Sequence, residues 1–285
     1  MIRFGAPVNH LVSRIAIVCL VVAMHGSALY LGSGAGIQNY SNGIGQPKHF
    51  SLGGSSEFIL DARSILTVVR ERNLQRIFVL AGKVDFRLVH DPSLTTMVYA
   101  NGLLVTDIGT HFSVEIQDNG QANVVVAEGV VAADSLPAGG VGSPCRDASQ
   151  LPNPALSAST PVRDHEWART QQIGSNIGLQ KATLTDAQLA RRMAWTHGEL
   201  IFDGEPLAEV VNEVSRYFPA KITFDDSIKD LHINGVYTTA RFDTFVHTLT
   251  YTHHLEAHRD GQNEIRLSRS PAAPSQSGRG PLPQH

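Results

Sequence analysis

The chain has 285 residues and a net charge of -3 with histidines neutral, 17% of residues charged and 42% hydrophobic. It carries no strong basic block, which argues against a nucleic-acid partner. Its two cysteines, Cys19 and Cys145, lie far apart, one in an apolar run and one in a Pro/Gly-rich stretch, so neither a disulfide framework nor a metal knot is expected.

Arg3 and Arg14 precede a stretch without Asp, Glu, Lys or Arg that runs to Lys48. Its apolar centre is Ile15 to Met24. A signal peptide needs an apolar core of about 7–15 residues and a small-x-small cleavage site, which Gly26-Ser27-Ala28 could supply. A membrane anchor needs about 20 mostly apolar residues, which Val12 to Gly32 supplies if His25 is tolerated. Either way the arginines stay inside and the rest of the chain crosses. The sequence therefore divides into a short cytoplasmic stub (1–14), a transmembrane anchor or signal peptide (15–32) and a Gly/Ser/Asn-rich spacer (33–48).

Residues 49–134 show short apolar alternations between turns and predict an all-β domain, a sandwich or rolled sheet. Phe58 and Leu60, then Ile65 and Val68, flank a corner at Asp61-Ala62-Arg63-Ser64. "RIFVLAGKVDFRLV" reads as strand, Gly82, strand, and "TTMVYANGLLVTDIG" as strand, Asn101-Gly102, strand. At His90 to Ser93 an Asp-Pro turn interrupts, with Asp91 bonded to its own backbone rather than forming a catalytic dyad with His90.

"VTDIGTHFSVEIQDNGQANVVVAEGVV" is the clearest hairpin. A two-residue Asn119-Gly120 loop would pair Ile116 with Asn123 and mix the two faces. A three-residue loop with Gly120 left-handed pairs Ile116 with Ala122 and Val114 with Val124, so the buried face selects it. His111, beside Phe112, then points away from the core as a rim histidine, and its loss should leave the fold largely intact.

Residues 135–193 are Pro/Gly/Ser-rich and predict a linker, closed by a short helix that Thr185 caps and that carries Leu189, Arg192 and Met193. Residues 194–268 predict a small α+β domain of β-α-β-β-α-β type with both helices on one sheet. Pro206 fits the first helical turn, and Leu207, Val210, Val211, Val214 and Phe218 share one face. The second helix, with Thr239 as its expected cap, has the stripe Phe242, Phe245, Val246 and Leu249. Asp260-Gly261 signals a closing hairpin, and 269–285 reads as a disordered tail.

The ordered set "GKVDFRLVHDPS", "VTDIGTHFSVEIQDNGQANVVVAEGVV" and "AWTHGELIFDGEPLAEVVNEVSRYF" resembles the extracytoplasmic part of the FecR family, over roughly Ser51 to Leu267. The last domain resembles the secretin and TonB short N-terminal fold. The resemblance implies a regulator of extracytoplasmic-function sigma factors, of anti-sigma type. Such a protein sits in the inner membrane as a single-pass protein with its bulk in the periplasm. Its implied partner is the periplasmic signalling domain of a TonB-dependent outer-membrane transporter. In the family a cytoplasmic N-terminal domain holds the sigma factor. Met1 to Arg14 are too few to fold one, so that function is not expected of this stretch. The alternative is an extracytoplasmic structural or glycan-binding protein.

No Gly-x-Ser-x-Gly elbow, Walker loop, His-Glu-x-x-His or Cys-x-x-Cys is present, and the sequence predicts no enzyme, no cofactor and no catalytic or metal-binding residue. His247, His253, His254 and His258 do not fall on one face, and Asp225, Asp226 and Asp230 lack the spacing of a calcium loop.

Overall fold

The structure is a computed structural model and describes residues 36–107, 109–136, 159–173, 176–260 and 263–270. The stub, the apolar membrane segment and both cysteines lie outside the described residues, as do most of the tail and the Pro-rich stretch 137–158.

Thirteen strands form the first unit. They are β1 (Gly36–Asn42), β2 (Lys48–Gly53), β3 (Ser56–Leu60), β4 (Ser64–Arg70), β5 (Leu74–Arg87), β6 (Thr95–Ala100), β7 (Leu103–Asp107), β8 (His111–Ile116), β9 (Ala122–Glu128), β10 (Val130–Ser135), β11 (Thr160–Arg163), β12 (Glu166–Ile173) and β13 (Asn176–Thr183). The spine is β5, 14 residues long. Its first half pairs with β4 and β6, its second half with β3 and β8. The sheet thus folds over on itself, and β11 lies against β9 and β12 on the far side, so that it nearly closes. Phe58, Leu66, Val84, Phe86, Val98, Val105, Phe112, Val114 and Val124 fill the space between the layers.

The hairpin register is the expected one: Ile116 pairs with Ala122 and Val114 with Val124. Gly120 has φ +81°, and its N–H bonds the Gln117 carbonyl to close the loop.

Four expectations need correction. Gly36–Asn42, read as spacer, is a strand paired with β4 along its whole length. Much of the expected linker consists of strands β11 to β13. Their polar sequence suits the margin of a sheet, where Val162, Ala168 and Thr170 turn inward while Arg169 and Lys181 face water. Gly82 does not end a strand. It lets β5 run through at φ +78°, where a Cβ would lie 2.1 Å from Ser64 Oγ. Ile65, read with Val68 among the apolar alternations, is 45% exposed, because the period of two along β4 puts Leu66 and Val68 on the inner face instead.

Helix α1 (Asp186–Met193) opens with a capping box: Thr185 accepts from the Gln188 N–H, and the Gln188 side chain accepts from the Thr185 N–H. It packs Leu189 and Met193 with Leu184 onto Val125 and Trp167, on the outer face of β9 and β12.

The second unit contains β14 (Glu199–Pro206), α2 (Leu207–Val214), β15 (Lys221–Phe224), β16 (His232–Thr238), α3 (Phe242–His253), β17 (Leu255–Arg259) and β18 (Glu264–Arg269). The predicted helical stripes are buried, including Leu207, Val210, Val214, Phe218, Phe245 and Leu249. The helices do not lie on one sheet, however. β14 pairs with β16, while β15, β18 and β17 form a separate three-stranded sheet, and side chains from both sheets and both helices share one core. The bulge between Asp203 and Glu205, at Gly204, bends β14 as it leads into α2. Thr239 does not cap α3, whose N-cap is Arg241. It is fully buried and bonds across to the first unit.

Candidate functional site at the joint between the units

The corner after β3 is where the two units meet. Asp61 is fully buried, and its N–H bonds the Lys83 carbonyl. Arg63 takes φ +54°, with its N–H on the Gly43 carbonyl. Asn42 Nδ2 donates to the carbonyls of Leu60 and Asp61. The corner is therefore built by three stretches of β-domain chain, and the bend of β5 at Gly82 brings Lys83 beside it.

The residues that close α2 dock onto this corner. Tyr217 Oη donates to Asp61 Oδ2 at 3.1 Å. Arg216 Nη2 reaches the same oxygen at 3.3 Å and the Ala62 carbonyl at 3.0 Å. Arg63 Nη2 donates back to the Ser215 carbonyl at 2.8 Å. Ile59 and Ala62 enter the core of the second unit, so apolar packing crosses the same boundary. A second tie lies at Thr239, whose Oγ1 bonds Gln46 Oε1 at 2.8 Å, while Gln46 Nε2 donates to the Thr239 carbonyl.

Lys83 is the hub. Its Nζ lies 3.5 Å from Glu213, 3.6 Å from Glu115 and 4.0 Å from Asp61, with the Trp195 ring centroid at 5.6 Å. Burial disfavours its charge, but Glu213, Glu115 and Asp61 together hold the ammonium well above its ordinary range. Burial likewise opposes Glu213, yet Lys83 and Arg216 keep that carboxyl below its usual value. For Asp61, burial outweighs Lys83 and Arg216, and its carboxyl is pushed up. Burial, then the Asp61 charge, pushes the Tyr217 phenol up, so it stays a donor. Beside the hub lies a cleft of about 410 Å³ lined by Ser113, Glu115, Asn123, Trp195, Phe202 and Glu213.

Lys83 is locked among carboxylates, and Ser64 Oγ accepts from the Lys83 N–H. These groups hold position, and none pairs a nucleophile with a free base. Among the described residues no cluster of His, Cys, Asp and Glu could hold a metal, and no helix is long and apolar enough to cross a membrane. His253 Nε2 meets Tyr237 Oη at 3.3 Å, and the His247 ring stacks with Tyr251, so these histidines have separate neighbours. Asp225 bonds Arg266 ahead of a short 3-10 helix at Asp226–Ile228. At the Asp-Pro turn the Asp91 carboxylate accepts from Ser93, as a turn residue does.

His111 is on the rim, but it is not idle. Its Nε2 lies 3.0 and 3.1 Å from the two oxygens of Asp85, a fully buried carboxylate. The face expected to be solvated is covered, with Ser113, Asn123 and Val125 all buried. The corner residues were visible in the sequence only as a turn. Their docking role depends on Arg216 and Tyr217, some 155 positions away, and no local pattern announces it.

A β-rich unit is thus tied through a charged joint to a small α+β unit. Residues 38–132 match the FecR protein family model, and residues 199–266 match the model of the FecR C-terminal region. Together they cover more than half of the chain, and the chain belongs to the FecR family, whose members are regulators. The fold is shared with two crystal structures of a candidate anti-sigma factor from Parabacteroides distasonis, at 1.65 and 2.50 Å resolution. Both are 17% identical, with TM-scores of 0.58 and 0.59, and the match covers 82% of this chain and 100% of theirs. None of the curated proteins matches the chain.

Proposed function

We propose that this FecR-type regulator relays a signal in the periplasm. Its β-rich and α+β units together receive the signalling domain of a TonB-dependent outer-membrane transporter, and the bound state is passed toward a sigma factor held on the cytoplasmic side. The observation that carries this reading is the joint: Asp61, Lys83, Glu213, Arg216 and Tyr217 tie the two units, and Ile59 and Ala62 share the second unit's core. A binding event on the second unit then acts on the first as a lever rather than through a loose tether. Open strand edges, such as those of β15 and β17, suit addition of a partner strand. The apolar run Ile15 to Met24, with Arg14 before it, supports a single inner-membrane crossing with residues 36–270 outside.

Two experiments test this. A reporter fused after Leu60 should be active only outside the cytoplasm; activity inside would reject the location. Purified residues 36–270 should retain a transporter signalling domain from the same cell. Recovery of none, with saturable binding of a sugar instead, would turn the reading toward a glycan-binding protein.

A further inference from the structure

The joint packs three carboxylates in direct contact with two cations. Asp61, Glu115 and Glu213 face Lys83 and Arg216, all five within one chain of contacts of 4.0 Å or less. The three acids are not alike. Glu213 has both cations, at 3.5 and 3.9 Å. Glu115 and Glu213 are both partly open, their side chains 27% and 30% exposed, and Asn123 Nδ2 donates to Glu115 at 3.2 Å. Asp61 is the one with no exposure at all, and its Oδ1 has no hydrogen-bond partner among the described residues. Both of its donors, Tyr217 and Arg216, go to Oδ2.

A charged oxygen that is buried without a hydrogen bond is costly, and a neutral carboxyl costs less in the same place. We propose that Asp61 is a proton-binding site and that its protonation tightens the α+β unit onto the β domain. The other charged groups near the joint do not compete for this role. Arg63 points outward to the Ser215 carbonyl, Arg192 acts on Glu115 and sits over the Trp167 ring, and no histidine is among the described charge partners of Asp61. The raised position of the Asp61 carboxyl, caused first by burial, agrees with this geometry. The inference rests on the joint alone and stands whether or not a transporter domain is the partner.

The sign follows from linkage. A carboxyl raised in the folded state takes up its proton while the unfolded chain is still ionised. Stability therefore grows as pH falls through the folded value and levels off below the unfolded value, about 4. In the full chain, the melting temperature of the wild type relative to Asp61→Asn should rise as pH falls toward the unfolded carboxylate value, about 4. The protection factor of the Gly45 amide, which bonds across the joint to the Arg216 carbonyl, should rise with it. Parallel curves for the two proteins would overturn the proposal.

Infrared difference spectra provide a second arm that needs no Asn variant. The wild type should show the carbonyl band of a buried protonated carboxyl at mildly acid pH. Lys83→Met, which removes a cation and keeps Asp61, should shift that band's titration to higher pH. Absence of the band, or a titration that Lys83→Met leaves in place, would equally overturn it.

Discussion

Tyr217 and Arg216 share one oxygen of a buried carboxylate, so each is worth more than an ordinary surface contact. Arg216→Ala leaves Asp61 with only Lys83, at 4.0 Å, as a cation, and should cost about 3 kcal/mol in urea unfolding. Tyr217→Phe keeps the ring and removes one hydrogen bond to a charged group, about 1.5–3 kcal/mol. If Arg216→Ala changes stability less than a typical surface substitution, the joint is not where the units are held. His111 belongs to the same scale. Because it faces buried Asp85, His111→Ala should cost roughly 1–3 kcal/mol rather than nothing, with Arg87 at 3.9 Å the nearest remaining cation. Neither dependence was legible in the sequence. Period-two alternation tells which way a side chain points, but not what covers it, and here Leu184 and α1 cover Val125 on the outer face of β9.

At the scale of elements, the β8–β9 hairpin was readable because two constraints agree. Only one loop length puts Val114 opposite Val124, and Gly120 supplies the positive φ that loop requires. Gly120→Ala should therefore cost roughly 1 kcal/mol, since its site is otherwise open, with Asn101 Nδ2 at 3.4 Å as the nearest atom. Gly82→Ala should cost far more, because the new Cβ would meet Ser64 Oγ at 2.1 Å and the Arg63 carbonyl at 2.8 Å. Equal losses for the two variants, measured by thermal unfolding, would mean that β5 does not bend as described. Val114→Asp, which puts a carboxylate in the fully buried core, should prevent folding of the β unit altogether. The strands missed in sequence, β1 and β11 to β13, are largely polar, two of them (β1 and β13) carry a glycine, and only long-range pairing makes them strands. Conversely, Gly82 reads as a terminator until Ser64 and Arg63 are seen packed against it. The helical stripes of α2 and α3 were legible, while the split into two sheets was not. Periodicity gives an element its buried face but not its strand neighbours.

For the molecule as a whole, the account requires that the two units move as one body. Their boundary combines ion pairs, backbone bonds such as Gly45 N–H to the Arg216 carbonyl, and the insertion of Ile59 and Ala62 into the second core. A relay of FecR type built this way loses its lever if the units open independently. The decisive measurement is hydrogen exchange of residues 36–270 in rising urea, comparing Val114 in β8 with Val211 in α2. The two amides should lose protection through one opening event, at the same urea concentration and with the same urea dependence. Loss of protection in α2 at a lower urea concentration, while β8 stays protected, would contradict it.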